Sequence, residues 1–407
     1  MSRFQKFEVS GLGLLVEYWM TTTIFHISDT HLGRRQYGSD ERRRDFSRAF
    51  ARVADEAIDR EVDAVIHTGD LFDDRSPPVR TVLDCIDTVD ELAASGIPFY
   101  GIVGDNDRKR DEEWLDVVVE QSDHAARLGT DPYIVGDVAL YGIDAIRRKQ
   151  WDDETFALTP PADHRRAILC MHQGLAPLAP PDRRDHHVED VLKRTPFELD
   201  GLALGHIHEY DTATVQDTNV WYAGSTERYK RSMADKPRTV ALVEVSDGAI
   251  DTTPVEVDGP PFEAFSIEFD EQDTDQYARD QLAERDLSGA IASIRIRGAQ
   301  NGTTALDVER MARDEGVVAC DVDDRREVTS ADSADEPVQD VRSLDGAVDD
   351  ELTDRDLGET VVAIDGEIRD TDSTSGFDDE IESFVEKEVE ERFGDDPIDD
   401  IKSGGDS

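Results

Sequence analysis

Five times in the first 208 residues, a short apolar run ends in a motif of aspartate, histidine and glycine. The motifs are Asp29-Thr30-His31, Gly69-Asp70, Gly104-Asp105-Asn106-Asp107, Met171-His172-Gln173-Gly174 and Gly205-His206-Ile207-His208. The runs cover residues 23–27, 64–67, 99–103, 167–171 and 201–204, and further runs at 138–142, 220–223 and 240–245 read as strands. Amphipathic stretches at 42–60 and 79–95 separate the first three runs. In the first stretch Phe46, Ala49, Phe50, Val53 and Ala57 recur at helical spacing. This alternation predicts a layered α/β domain. A parallel sheet would deliver all five motifs to one edge, at the carboxyl ends of its strands.

The motifs share one chemistry. Carboxylates take hard or borderline divalent ions and neutral imidazoles take borderline ones, so a mixed set suits manganese, iron or zinc. Asp70 follows a strand and a glycine and is the natural carboxylate to bridge two ions about 3.5–4 Å apart. A bend at Thr30 aims Asp29 and His31 the same way, and His206 and His208 repeat the device, with Gly205 permitting close backbone approach. A lone Asp-x-His or His-x-His is more often structural. Five in order, each after a strand, read as a dinuclear site.

Charge narrows the class further. There are 94 acidic and 44 basic residues, a formal charge of -50, and only 8 of the basic residues are lysine. Acidic excess with scarce lysine resembles cytoplasmic proteins of salt-loving archaea, where a Debye length near 3 Å in molar salt makes self-repulsion tolerable. Cys85, Cys170 and Cys320 are odd in number and far apart, so no disulfide framework is expected. A reducing cytoplasm fits them. No apolar run approaches the roughly 20 residues of a membrane span. Residues 1–19 make a poor signal peptide and read as a gene-model extension, with Met20 as the start.

A metal-bearing domain is therefore expected over 20–258. Gly259-Pro260-Pro261 opens a small α/β capping domain over 259–322, with strands at 262–269, 290–296 and 317–322 and helices at 277–283 and 305–312. Residues 323–375 are acidic and poor in apolar side chains, which predicts a disordered linker. The tail, 376–407, carries Ile381, Phe384, Val385, Val389 and Phe393 on one face of a helix. That helix either docks on a partner or packs on its own chain. Residues 1–250 hold 30 basic and 46 acidic residues against 14 and 48 beyond, so the metal-bearing part is the less acidic.

With these motifs the chain resembles the calcineurin-like metallophosphoesterases. Within them it is similar to the double-strand-break repair nucleases, the SbcD-type subunit of bacteria, called meiotic recombination eleven in archaea and eukaryotes. The narrower resemblance lies in His31-Leu32-Gly33-Arg34-Arg35-Gln36-Tyr37, Arg43, Asp45-Phe46, Gly69-Asp70-Leu71-Phe72-Asp73 and Gly224-Ser225-Thr226-Glu227-Arg228. It covers residues 22–245 and reaches the small domain by order and size only. It implies that Asp29, His31, Asp70 and His208 hold one ion and Asp70, Asp105, His172 and His206 the other, both manganese. It also implies exonuclease and endonuclease action on DNA ends, an SMC-like coiled-coil ATPase as partner, and a homodimer. Arg34, Arg35, Gln36, Tyr37 and Arg228 would touch DNA phosphate and sugar, or lie as solvated surface groups.

Two positions depart from that family's usual Gly-Asn-His-Asp or Gly-Asn-His-Glu. Asp105 replaces the asparagine ligand and keeps an oxygen for the metal while adding a charge. Asn106 replaces the histidine held to protonate the leaving group, and an amide transfers no proton near neutral pH. Asp73 also stands where many members have histidine. The expectation is a metal-holding site with impaired catalysis at Asn106, unless His124, His186 or His187 substitutes. The alternatives are a weakened subunit that binds DNA ends and docks the ATPase, or a small-nucleotide phosphodiesterase.

Overall fold

The computed structural model describes residues 21–326, apart from 109–112, 123, 153, 163–164 and 247–248, together with two short strands, Lys6–Glu8 and Leu15–Glu17, paired antiparallel. The expected linker begins inside the described residues, where the strand Ala319–Asp324 takes its first two positions; its remainder beyond residue 326 and the tail helix, Ile381 to Phe393, lie outside them. Among the described residues no helix is long and apolar enough to cross a membrane.

Two six-stranded sheets form the centre. In the first, Thr22–Ile27, Ala64–Thr68, Phe99–Ile102 and Ala125–Arg127 run parallel. Thr239–Ser246 and Ala249–Glu256 close its other side antiparallel. In the second, Val138–Ile143, Arg166–His172, Gly201–Gly205 and Thr218–Tyr222 run parallel. Its edges are the antiparallel strands Tyr133–Val135 and Asp211–Val215. All eight predicted strands of this part are present, now divided between two sheets.

The division follows from period-two alternation. Ile24, Ile66 and Ile102 of the first sheet meet Leu140, Ile168, Cys170, Ala203 and Trp221 of the second in one buried layer. The alternate residues Phe25, Ile27 and Val65 face the helices Asp40–Asp59 and Val79–Ala94. On the far side Tyr141, Leu169, Met171, Leu202 and Leu204 pack under the short helix Val188–Arg194 and its loops. Helix, sheet, sheet and helix therefore stack as four layers. Helix Asp40–Asp59 begins where Ser39 caps the Arg42 amide at 3.2 Å, with Asp40 and Glu41 in the positive first turn.

A polar bridge joins the sheets through the apolar layer. Trp221 Nε1 donates to His26 Nδ1 at 2.9 Å, and His26 Nε2 lies 2.8 Å from Thr68 Oγ1. An indole only donates, so Nδ1 must accept and the ring is neutral. Burial, with the neighbouring His67 adding to it, pushes the His26 pKa down to about 3. An unfolded histidine titrates near 6.5. The unfolded chain thus binds the extra proton between about pH 6.5 and 3, and stability falls as pH drops through that window. The stability contribution is complete above pH 6.5, and about 1.4 kcal/mol per pH unit is at stake below it. Chemical denaturation at pH 7.5, 6 and 5 should show this slope, and His26→Gln should flatten it. An unchanged slope in the variant would assign the acid sensitivity elsewhere.

The small sheet, Phe262–Phe269, Ile291–Gly298 and Ala319–Asp324, is parallel and carries helices Asp275–Ala283 and Ala305–Asp314. Its own core gathers Ile267, Leu282, Ile294, Val308 and Met311. Its other contact is with the metal-bearing part, where Phe262, Ile291 and Ala319 pack near Tyr37 and Ala234. All described residues belong to one compact unit, Met1–Val328.

Candidate metal centre

The parallel strands deliver the five motifs to one place. Asp29 and His31 follow Thr22–Ile27, Asp70 follows Ala64–Thr68, and Asp105 follows Phe99–Ile102. His172 ends Arg166–His172, and His206 and His208 follow Gly201–Gly205. Each strand ends in a sharp turn. Asp29, His31, Asp70 and His206 have φ of 53°, 44°, 54° and 87°, the left-handed region that non-glycine residues rarely occupy. Such backbone costs of order 1–3 kcal/mol per residue and persists where the surroundings hold it. Gly205 is required here, because a Cβ on it would lie 2.3 Å from Ser28 Oγ and 2.7 Å from His172 Nδ1.

Three groups of side chains bring ligand atoms within 4.8 Å of one another: Asp29, His31 and His208; Asp105, His172 and His206; and Asp29, Asp70 and His172. Asp29 Oδ1 is 3.1 Å from His208 Nε2, and its carboxylate also accepts the His206 amide at 3.1 Å. Asp70 Oδ2 lies 3.8 Å from His31 Nε2 and 3.5 Å from His172 Nε2. Asp105 Oδ1 lies 3.0 Å from His172 Nε2 and 3.6 Å from His206 Nδ1. His172 Nδ1 sits 2.7 Å from the Thr68 carbonyl. That bond fixes the ring and points Nε2 into the centre, the arrangement usual for metal-ligating histidine.

The donor set fits cations. Nε2 of His31 and Nδ1 of His208 are buried without a hydrogen-bond partner, while His31 Nδ1 faces Asp73 Oδ1 at 3.4 Å. Buried polar atoms without partners are rare and call for an explanation, and a cation at His31 would supply one. Burial opposes charge on Asp29, but His208, His172 and His31 override it and hold the carboxyl far below its usual range. Burial would lower His172, yet Asp70 and Asp105 raise it well above its ordinary value; the same balance, through Asp105, raises His206. His208 goes the other way, with burial pushing it down to about 4 against the pull of Asp29. The cluster thus holds carboxylates ionised and draws positive charge, which metal ions would bring.

Asp107 braces the centre from behind. Its carboxylate accepts the amides of Leu71 at 2.8 Å, Phe72 at 3.3 Å and Gly104 at 2.9 Å, locking the Asp70 turn to the Asp105 turn. Burial and the nearby Asp70 charge push its pKa up to about 7. Asn106 Nδ2 and backbone N both donate to Asp70, the latter at 3.0 Å. Its side chain is thereby tied to Asp70.

None of the three alternative imidazoles lies in this arrangement. The His186 ring stacks on Trp151 at 3.7 Å, and His187 is an exposed residue that starts helix Val188–Arg194. His124 is exposed, and its carbonyl accepts the Phe99 amide at the opposite, amino end of that strand.

The residues expected at DNA separate sharply. Gln36 is buried, its Oε1 accepting from Arg42 Nε at 2.9 Å. Tyr37 faces the small sheet, packing against Phe262, Ile291 and Ala319. Arg34 pairs with Asp73 at 2.6 Å and lies 4.6 Å over the Tyr229 ring. Arg228 Nε donates to the Lys236 carbonyl at 2.6 Å. Arg35 is exposed, with Asp40 at 3.0 Å. Missing from the sequence reading are His26, His67 and Arg183. His67 lies behind the site, 3.1 Å from Thr30 Oγ1, with its pKa pushed down to about 3 by burial. Its place at the end of an apolar run was the available signal.

Comparison with known proteins agrees with this geometry. A family model described as calcineurin-like phosphoesterase matches residues 22–210. The DNA double-strand break repair protein Mre11 of Haloferax volcanii is 35% identical over 378 residues, which cover 92% of this chain and 83% of that protein. The Mre11 of Halobacterium salinarum is 36% identical over 353 residues, covering 85% of this chain and 89% of that protein. The Mre11 of Methanosarcina mazei is 40% identical over 227 residues, 55% of this chain and 36% of that one. With the ligand-bearing strands inside the phosphoesterase match and the haloarchaeal likeness running along most of both chains, this chain belongs to the Mre11 family of DNA double-strand break repair proteins.

Proposed function

We propose that the chain is a dinuclear-metal nuclease that cuts phosphodiester bonds at DNA ends during double-strand-break repair in the cytoplasm. The observation that carries this reading is the convergence of the Asp29, His31, His208 and Asp105, His172, His206 groups, with Asp70 between them. Asp29, His31, Asp70 and His208 would hold one ion, and Asp70, Asp105, His172 and His206 the other, with manganese the ion of both. When bound, such a pair activates a water and neutralises charge developing on the phosphate.

The chain's own side chains position and orient. The Thr68 carbonyl sets the His172 ring, the His206 amide steadies Asp29, and Asp107 keeps the two loops in register. The Arg34–Tyr229 pair flanks the centre, and it and the exposed Arg35 would meet DNA backbone without reading its sequence. Gln36, Tyr37 and Arg228 would act indirectly, by holding those loops. The relatives' repair role supports an SMC-like coiled-coil ATPase as partner and a homodimer.

A second reading, a DNA-end-binding subunit with weakened catalysis, rests on Asn106, whose amide is engaged by Asp70 and transfers no proton. The test is metal content and cleavage of the purified protein in high salt, titrated with manganese. Two equivalents of metal and degradation of linear DNA are expected. Cleavage of cyclic nucleotides with DNA left intact would replace the nuclease by a small-nucleotide phosphodiesterase.

A further inference from the structure

We propose that Arg183 and Tyr229 form a phosphate subsite beside the metal centre, gripping the nucleic-acid backbone at a phosphate neighbouring the one cleaved. The proposal rests on the nuclease reading above. Tyr229 stands against the ligands, its ring 4.6 Å from that of His208 and 5.6 Å from that of His31. Arg183 Nη2 reaches the Tyr229 hydroxyl at 3.4 Å, and Nη1 reaches the His206 carbonyl at 3.5 Å. The guanidinium is thus at the rim of the centre, on the side of Asp29, His31 and His208.

Arg34, Arg148 and Arg194 each have a carboxylate oxygen within 4.0 Å. Among the described residues Arg183 has none at that distance; its partners are a phenol and a peptide carbonyl, both at the long limit of a hydrogen bond. Like Arg108 and Arg228, whose bonds go to carbonyls, Arg183 has no close carboxylate, but it alone of these three also bonds the phenol that stands against His208 and His31. A guanidinium carries five donors in a planar fork that suits phosphate oxygens. Two long bonds leave most of them for a ligand.

The placement is rigid as well. The Arg183 backbone lies so close to Gly174 that a Cβ there would be 1.9 Å from the Arg183 carbonyl oxygen. The Asp185 amide donates to the Gly174 carbonyl at 2.7 Å, and Asp185 Oδ2 accepts the Gly174 amide at 3.0 Å. Gly174 is two residues from His172, so the segment bearing Arg183 is clamped to a ligand-bearing loop. No carboxylate of the ligand set comes within 4.0 Å of the guanidinium. Its reach is therefore to a phosphate next to the centre rather than to the one on the metals.

The test compares wild type with Arg183→Gln, Arg183→Lys and Tyr229→Phe on two substrates. A single-stranded oligonucleotide has neighbouring phosphates, and bis-p-nitrophenyl phosphate has one. Arg183→Gln should lower the ratio of kcat/KM for the oligonucleotide to that for the small diester at least tenfold, chiefly through KM. Arg183→Lys should recover part of the ratio, and Tyr229→Phe should move it the same way but less. Oligonucleotide binding in EDTA supplies a readout independent of cleavage. The slope of log K against log salt should shrink by about 0.7 in Arg183→Gln, as for one lost phosphate contact on a single strand. Equal losses on both substrates, or an unchanged slope, would overturn the subsite. Wild-type protein that binds the oligonucleotide yet cuts only the small diester would remove the nuclease reading and leave the slope to decide the subsite.

Discussion

Converting Asp105 to asparagine together with Asn106 to histidine is expected to raise the DNA-cleavage rate by roughly 10²–10⁴-fold, the usual worth of a positioned general acid. The native amide at Asn106 donates to Asp70 and has no proton to transfer. The three other candidate imidazoles lie elsewhere, His186 against Trp151, His187 exposed at the start of helix Val188–Arg194 and His124 at the opposite strand end. Reverting Asp105 also removes a charge from a centre that already holds Asp29 and Asp70, which favours approach of an anionic phosphate. Single-turnover cleavage of a labelled duplex in manganese would measure the change. The single variants separate the two causes, since Asn106→His alone tests the proton and Asp105→Asn alone the charge. A double variant no faster than wild type would show that the native site handles its leaving group by another route.

Arg42→Ala should cost about 3–5 kcal/mol, the range for breaking a buried ion pair on one side. The Arg42 guanidinium is wholly buried. It donates to Gln36 at 2.9 Å, to Asp45 at 3.2 Å, to Glu227 at 3.2 Å and to the Arg228 carbonyl at 3.2 Å. One side chain thereby joins the loop after His31, its own helix and the loop that leads to Tyr229. Removing it strands Gln36 and leaves Glu227 to Arg238, 3.6 Å away, and Arg52, 3.9 Å away. Urea denaturation at fixed molar salt would give the loss. Glu227→Gln should cost less, because an amide oxygen still accepts. A loss under about 1 kcal/mol in Arg42→Ala would mean that apolar packing alone holds these loops.

The metal-bearing strands were legible because each is a short apolar run that ends in a chemically distinctive motif. The pairing of those strands into two sheets was not. The contacts of Ile24 with Ile168 and Trp221 depend on partners far along the chain. Edge strands such as Asp211–Val215 are largely exposed and polar, so they leave little apolar pattern to read. Gln36 and Tyr37 show the same limit at the site. Sequence places them beside His31 in a loop, where polar side chains suggest a ligand surface. Gln36 is turned inward by Arg42, which also reaches across to Glu227, and Tyr37 by the apolar residues of the small sheet. Arg183 belongs to no motif, and its place against the Tyr229 hydroxyl and the His206 carbonyl appears only in three dimensions.

The left-handed turns at Asp29, His31, Asp70 and His206 limit the residues each position can carry before any metal is considered. Glycine visits that region freely and asparagine, aspartate and histidine are enriched there, whereas β-branched side chains are genuine outliers. Asp105 is under no such restriction. Its backbone is outside that region, and 53% of its side chain is exposed. Asp105 is thus the member of the cluster whose own backbone conformation leaves the choice of residue open.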